Sequence, residues 1–473
     1  MAKDQKLEKK LSPLNVWALA FGCIIGWGAF VMPGNTFLVK SGPLGTAIAM
    51  VVASLVMIII AFNYSYMIKQ YPIAGGEFTY AQKAFGQNHA FVCSWFLGLS
   101  YLAIVPLNAT ALALIGRNLM GSVFQFGFHY VVAGYDVYLG EICLALVALL
   151  FFAYLSIKGV KFAGVFQTML ACALIGGVAL VVVAALVCPE AQWSNLAPAY
   201  HPGSSEISCI IAVVAVAPWA FVGFDTIPQA AEEFNFSPTK GKMIMVISIL
   251  FGGLVYVLLN GVTAMVVPDG YANWLEYIDD LKNLDGLMSL PTFNAAHMML
   301  GTWGLVFLGI AVLSACLSGI VGFYMATSRL LFSMSREGVL PKWFGELHPT
   351  HKTPMNAILF VMAIALVAPF FGRTALGWIV DMSSLGAAIG YGYTSAAALK
   401  YAIERKDAGI IFTGVIGIIM AAAFTVLLLV PIKMFNCSLG IESYICLGIW
   451  VILGFIFYVS SLKKRKTACD KKS

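Results

Sequence analysis

Charge is scarce in this chain. Only 11% of its 473 residues are Asp, Glu, Lys or Arg, against about 25% in a soluble domain. Hydrophobic residues make up 60% and the mean hydropathy is +0.89, so a soluble globular domain is excluded and a polytopic membrane protein is expected. The ten cysteines show no metal-ligand spacing. Cys23, Cys93, Cys143, Cys172, Cys209, Cys316 and Cys446 fall inside apolar runs, where cysteine behaves as a small hydrophobe. Cys188 and Cys437 fall at the expected outer face, with nothing in the pattern that favours pairing them. The six histidines sit at span ends or in loops without a ligand pattern, so no metal and no cofactor is expected. No nucleophile, base and orienting group fall together, which argues against an enzyme. No segment reads as a pore loop or a ring of filter residues, which argues against a channel. A cleavable leader is not expected, because the first apolar run is too long and lacks a small-residue cleavage site.

Twelve apolar segments approach the roughly 20 residues that a bilayer crossing needs. They lie near 14–38, 43–68, 89–116, 138–157, 163–187, 207–230, 243–267, 301–332, 355–371, 376–399, 408–431 and 440–460. With both termini placed in the cytoplasm, 23 of the 28 Lys and Arg fall on the inner side. Only Lys40, Arg117, Lys282, Arg373 and Lys433 fall outside, as the positive-inside rule requires. The net charge of +6 is therefore mostly a topology signal. The basic tail also suits contact with anionic membrane lipid, and nothing calls for nucleic acid. Short tails with lysine-rich ends suit a prokaryotic plasma (inner) membrane. The longest loops, 190–206 and 268–300, are both external on this reading. The second carries Asp269, Glu276, Asp279, Asp280 and Asp285, which reads either as an acidic vestibule for cations or as a solvated loop.

Two of the apolar segments are interrupted. In the first, Gly22, Gly26 and Gly28 fall within seven positions and Pro33 follows. In the sixth, Pro218 and Gly223 bracket the run from Ala217 to Asp225. Lipid offers the backbone no partners, so a broken membrane helix needs a reason. A pair of breaks in corresponding positions of two halves points to a transporter's substrate site. Five spans separate the two, the spacing of two inverted five-span repeats, 14–187 and 207–399, with 408–460 added. Residues 1–13 and 461–473 form the tails.

If the first helix opens at Ile25, Gly26, Trp27 and Gly28, freed N–H groups and the positive end of the next half-helix face a cavity. That arrangement binds a carboxylate without a charged side chain. The alternative is that these glycines only let helices pack closely. At the sixth segment, freed carbonyls of Trp219, Ala220 and Val222 are placed to accept from an ammonium group. Trp219 and Phe221 either wall such a site, with cation–π attraction, or serve packing. Asp225 is an acid inside a span, which defaults to a functional role: it carries a proton, pairs with a second amino group, or caps the half-helix that follows. Glu232 and Glu233 fall nearer the cytoplasmic end, where they serve an inner gate or the interface. Lys161, at the start of the fifth segment, stands where a coupling sodium ion would sit or snorkels to the interface.

These residues resemble the amino acid–polyamine–organocation (APC) superfamily of secondary carriers over nearly the whole length. The match is carried by Ile25-Gly26-Trp27-Gly28-Ala29-Phe30 with Pro33-Gly34, and by Pro72 to Tyr80 ending at Phe85-Gly86. Trp219 to Asp225 with Ala231-Glu232-Glu233 and Pro238, and Ser328 to Leu331 with Arg336 to Pro341, complete it. The resemblance implies an all-α protein of twelve transmembrane helices, two inverted repeats with broken helices 1 and 6, working by alternating access. It implies substrate carboxylate at the first break and amino group at the carbonyls around Trp219. It also implies that Phe323 lines the site, that Asp225 stands where proton-sensitive members carry an acid, and that Lys161 replaces the sodium site. Many members have a small polar residue where this chain has Trp27, which shrinks the pocket or stacks on a substrate side chain.

The expected function is thus sodium-independent transport of an amino acid, coupled to protons or to exchange with a counter-substrate. The alternative is an amine or polyamine exchanger, which would need no carboxylate contact. A transporter-like nutrient sensor is a distant third, since the tails are short.

Overall fold

The helix that opens the bundle is cut short by its own sequence. Helix α1 (Pro13–Ile24) starts with a reciprocal cap: the Ser12 hydroxyl accepts from the Asn15 N–H at 3.2 Å, and the Asn15 side chain accepts from the Ser12 N–H at 3.3 Å. Pro13 fills the first helical position, where no N–H is needed. The helix ends at Ile25 (φ −91°, ψ 82°), restarts as α2 (Gly28–Met32), and passes through a π-turn, Pro33–Phe37, into α3 (Leu38–Gln70). The computed structural model describes residues 6–432, 435 and 437–470. Lys3, Lys433, Lys471 and Lys472 lie outside the described residues.

The remaining chain is almost wholly helical. Its longer elements are α4 (Gly76–Phe85), α5 (Gln87–Met120), α6 (Leu139–Lys158), α7 (Val160–Val187) and α8 (Glu206–Val214). Two four-residue turns, α9 (Ala217–Ala220) and α10 (Thr226–Gln229), lead to α11 (Gly241–Met265). Then come α12 (Trp274–Asp279), α13 (Pro291–Leu300), α14 (Thr302–Arg336), α15 (Met355–Val367), α16 (Gly372–Arg405), α17 (Ala408–Leu429) and α18 (Ile441–Asp470). Among the described residues, nine helical stretches are long and apolar enough to cross a membrane. Nine differs from the twelve apolar segments for identifiable reasons. The first segment leaves only a 12-residue helix before its break. The sixth is divided into pieces of nine, four and four residues. The ninth and tenth run together as one 51-residue stretch, Met355–Arg405, bent at Gly372 (φ 72°).

One element departs from the all-helical expectation. Strands β1 (His129–Val132) and β2 (Tyr135–Tyr138) form an antiparallel hairpin between α5 and α6. Its two turn residues, Ala133 (φ 48°) and Gly134 (φ 76°), both take the positive φ that matches strand twist in a tight hairpin. The Tyr130 hydroxyl donates to the Phe370 carbonyl at 2.7 Å, tying the hairpin to the start of α16.

Helix α14 lies against α5 and α7, α16 against α5, α17 and α3, and α11 against α3. Helix α1 is enclosed by α7, α11 and α14, which brings its break to the centre of the bundle. The 268–300 loop is folded rather than loose. Trp274 is fully buried against Leu38, Ala264 and Ile278, and its indole N–H donates to the Pro198 carbonyl at 3.0 Å. The loop acids bond within the loop: the Tyr271 hydroxyl donates to Asp280 at 2.6 Å and holds that carboxyl below its ordinary range.

The break in the sixth segment requires glycine at one position. Gly223 has φ 139°, and a Cβ there would lie 2.6 Å from the Ile24 nitrogen and 2.7 Å from the Cys23 carbonyl carbon. Gly223→Ala should therefore destabilise the protein by about 1–3 kcal/mol, read as a lowered midpoint of thermal unfolding in detergent. An unchanged midpoint would mean that the two breaks are not in contact.

Candidate functional site

The two breaks meet. Beside the Gly223 contact, Gly28 lies under the Trp219 ring, where any Cβ would overlap the indole. The Tyr256 hydroxyl of α11 bridges both, reaching the Ile24 carbonyl at 3.3 Å and the Ala220 carbonyl at 3.2 Å. Short-range bonds tighten the restart of the first helix: Ala29 N–H to the Gly26 carbonyl at 3.2 Å and Phe30 N–H to the Trp27 carbonyl at 3.1 Å. That leaves the N–H groups of Trp27 and Gly28 as the orphan donors of the new half-helix. In the sixth segment, the Trp219 carbonyl accepts from the Val222 N–H at 3.3 Å and the Ala220 carbonyl from Tyr256. The Val222 carbonyl accepts no bond among the described residues.

Trp27 and Trp219, both half-buried, line a cavity of about 480 Å³. It is walled by Leu107, Val216, Val380 and Ser384 and reaches Lys40, Arg373, Asp381 and the loop Cys437–Leu439. The volume lies within the usual range of small-molecule pockets. The guanidinium of Arg373 stacks over the Trp27 ring, 4.1 Å from its centroid. None of the acids in the 268–300 loop lines this cavity. Near Gly26 lies the side-chain oxygen of Asn108, buried and without a partner.

Behind the sixth-segment break sits a pair of buried acids. Asp225 is fully buried; its Oδ1 accepts from the Gly223 N–H at 2.7 Å and its Oδ2 from the Tyr101 hydroxyl at 3.0 Å. The same hydroxyl lies 3.3 Å from Oε1 of Glu77, also fully buried. Glu77 further accepts from the Tyr64 hydroxyl at 2.9 Å and the Gln229 amide at 2.7 Å. Among the described residues neither acid has an ion-pair partner. Two carboxyls sharing one hydroxyl, with no cation between them, form a group that can hold a proton.

Other expected site residues are placed as follows. Phe323 is buried on α14 with its ring 5.8 Å from that of Tyr101, so it covers the acid pair. Phe221 is buried with its ring 6.2 Å from Tyr256, on the α11 side and away from the cavity lining. Ile25 is buried, its N–H bonded to the Phe21 carbonyl at 2.9 Å. Lys161 is exposed in the first turn of α7. No hydrogen bond or ion pair joins it to either break among the described residues. The α1–α7 junction is held instead by Asn15, whose amide donates to the Gly164 carbonyl and the Thr168 hydroxyl, each at 3.0 Å. Cys188 and Cys437 are both free thiols, and no metal-holding cluster occurs among the described residues.

The end of the molecule opposite the cavity is closed. Arg329 donates to Glu233 at 2.7 Å, both side chains almost fully buried, and Arg336 to Glu232 at 2.8 Å. Glu232 also accepts from the N–H groups of Leu7 and Ala74, and the Glu233 carbonyl from those of Lys10 and Leu11. In the sequence, Glu232 and Glu233 suit an inner gate or the membrane interface, but no local pattern marks their arginine partners. Glu77 stands there only within a motif, Arg373 only as an outer charge, and Asn108 carries no signal. Asp381 carried the same signal as Asp225, an acid inside an apolar segment.

The family model described as "Amino acid permease" matches residues 11–456. The chain belongs to that family, within the APC superfamily, and is a multi-pass membrane transport protein, not an enzyme. It is 25% identical to a branched-chain amino acid permease of Bacillus subtilis over 406 residues, 84% of this chain and 80% of that one. It is 25% identical to a vacuolar cationic amino acid transporter of Arabidopsis thaliana over 394 residues, covering 80% and 61%. It is 24% identical to a low-affinity putrescine importer of Escherichia coli over 340 residues, covering 70% and 69%. Relatives of this kind carry amino acids or polyamines, so an amino acid or amine transporter is supported.

The closed end yields a test. Arg329→Met strands a buried carboxylate and should cost about 3–5 kcal/mol, whereas the double variant with Glu233→Leu should recover most of that. Equal loss in the single and double variants, by thermal unfolding, would show that the pair does not hold this end shut.

Proposed function

We propose that this permease is a sodium-independent secondary carrier of an amino acid, working by alternating access. The observation that carries the reading is the meeting of two helix breaks at the floor of a cavity, with two buried ion pairs closing the far end. The substrate carboxylate takes the N–H groups of Trp27 and Gly28, beside Ile25 and Gly26. Its ammonium takes the Val222 carbonyl and the Asn108 side-chain oxygen, with the Trp219 face alongside. Residues 14–187 and 207–399 act as inverted five-span repeats, twelve crossings in all with 408–460. Both tails lie in the cytoplasm of a plasma-membrane protein, so the ion pairs form the inner gate and the cavity faces out.

An amine carrier is the second reading, supported by the crowding of the first break by Trp27 and by the putrescine importer among the relatives. Reconstitution in proteoliposomes separates the two. Saturable uptake of leucine or arginine that persists without sodium supports the amino acid carrier; uptake of putrescine alone supports the amine carrier. A strict sodium requirement would sink both.

Coupling is assigned to the Asp225–Tyr101–Glu77 group, with exchange as the alternative. Asp225→Asn and Glu77→Gln should each flatten the pH dependence of uptake, because each removes one of the two carboxyls that exchange the proton. A wild-type pH profile in both variants would place the proton elsewhere. Lys161, exposed in this conformation, is proposed to brace α7 against α1 once the inner end opens. Lys161→Ala should then slow uptake severalfold at unchanged thermal stability, and full uptake at normal expression would remove it from the mechanism.

A further inference from the structure

Among the described residues, the charged side chains lining the cavity are Lys40, Asp381 and Arg373, and the Arg117–Glu141 pair lies nearby beneath the hairpin. Glu141 is held by Arg117 through two bonds, 2.8 and 2.7 Å. Asp381 faces Lys40, and the two interact electrostatically. Arg373 lines the same cavity but has no ion pair or hydrogen bond among the described residues. Its Nη1 is buried and without a partner, a condition that costs free energy for a charged donor. Asp381 lies eight residues further along α16, about 12 Å at 1.5 Å per residue, beyond direct pairing distance.

The segment that carries this arginine is held in place. Its guanidinium carbon lies over the Trp27 ring, 4.1 Å from the centroid. The hairpin closes over the start of α16, where a Cβ on Gly372 would lie 3.0 Å from Val137. The Tyr130 bond to Phe370 anchors that cover one turn before Arg373. A guanidinium over an aromatic face still has a fork of N–H donors, and that fork matches a carboxylate.

We infer that Arg373, held over Trp27, is a carboxylate-binding subsite of the cavity and selects α-amino acids over their decarboxylated amines. This rests on the carrier reading and deepens it. It also gives a use for Trp27: the ring that crowds the first break is the platform that aims Arg373 at an anion. A diamine, lacking an anion, would meet an uncompensated cation at the same place.

The test compares dissociation constants on the purified protein by thermal shift, with leucine against 3-methylbutylamine, arginine against agmatine, and putrescine. The wild type should bind an amino acid more tightly than its amine. Arg373→Gln should weaken the amino acid by about 10- to 100-fold, the scale of a charge-assisted carboxylate bond, and leave the amine within about threefold. Arg373→Lys, which keeps the charge and loses the fork, should fall between and serves if the glutamine variant does not fold. Equal weakening of acid and amine, or no weakening, would overturn the subsite and leave the carrier reading standing. Wild-type binding of amines alone would overturn the subsite and the amino acid reading together, leaving the amine carrier. Binding of nothing in the panel would overturn both.

Discussion

A membrane helix can be broken only where something other than lipid satisfies or shields the opened backbone. Here each break shields the other. Gly223 sits on the backbone of Cys23 and Ile24, Gly28 lies beneath the Trp219 ring, and the Tyr256 hydroxyl joins carbonyls from both. Every other feature of the site follows from that junction. It leaves the Trp27 and Gly28 N–H groups as donors on one side and the Val222 carbonyl as an acceptor on the other. It holds both tryptophans at the floor of the cavity. It also places Asp225 directly behind, where the turn that follows Gly223 folds the carboxylate back onto the Gly223 N–H.

Charge is distributed by the same economy of partners. At the closed end, four charged side chains neutralise one another in two pairs; the Leu7 N–H adds a donor to the Glu232 carboxylate, and the Lys10 and Leu11 N–H groups bond the Glu233 backbone carbonyl. In the middle, Asp225 and Glu77 are buried with hydroxyl, amide and backbone donors alone. A buried carboxyl without a cation is stable only if its partners satisfy it or if it is protonated. The closed end is therefore suited to serve as a latch, and the central acids, on the proposed coupling, would form the group whose state a proton changes.

Much of this was legible in the sequence because it rests on local patterns. The Gly22–Gly28 cluster and the Pro218–Gly223 bracket mark both breaks, since glycine and proline alter the backbone where they stand. The membrane class followed from composition alone, and the family motifs followed from short runs. The long-range partnerships were not legible. Glu77 lies 148 residues from Asp225, and only the packing of α4 and α5 against α10 brings Tyr101 between them. Arg373 looked like one of five outer charges, because no periodicity links the start of α16 to Trp27. For Phe221 the sequence leaves wall and packing open, and its ring lies toward Tyr256 of α11, a neighbour no local pattern names. The hairpin was missed because two four-residue strands give a weak signal between long apolar runs.

The arrangement also sets an energetic condition on the proposed cycle. Opening the closed end separates Arg329 from Glu233 in a nearly dry setting, and removing one partner of such a pair costs about 3–5 kcal/mol unless water or another partner replaces it. A ligand shifts such an equilibrium only by its differential affinity for the two states. The cavity must therefore tighten around its occupant as the inner pairs come apart. Trp27 and Trp219 are placed for that, because both are half-buried at the cavity and pack against Ala103, Leu107, Leu376 and Val380. Because the two breaks are already in contact, they would move as one unit, closing the two rings over the substrate as α1 is drawn away from the Arg329–Glu233 end. The same displacement would carry Gly223 with it, and Gly223 is bonded to Asp225. On the proposed cycle, substrate closure and the protonation state of the central acids would thus be linked through one residue of backbone.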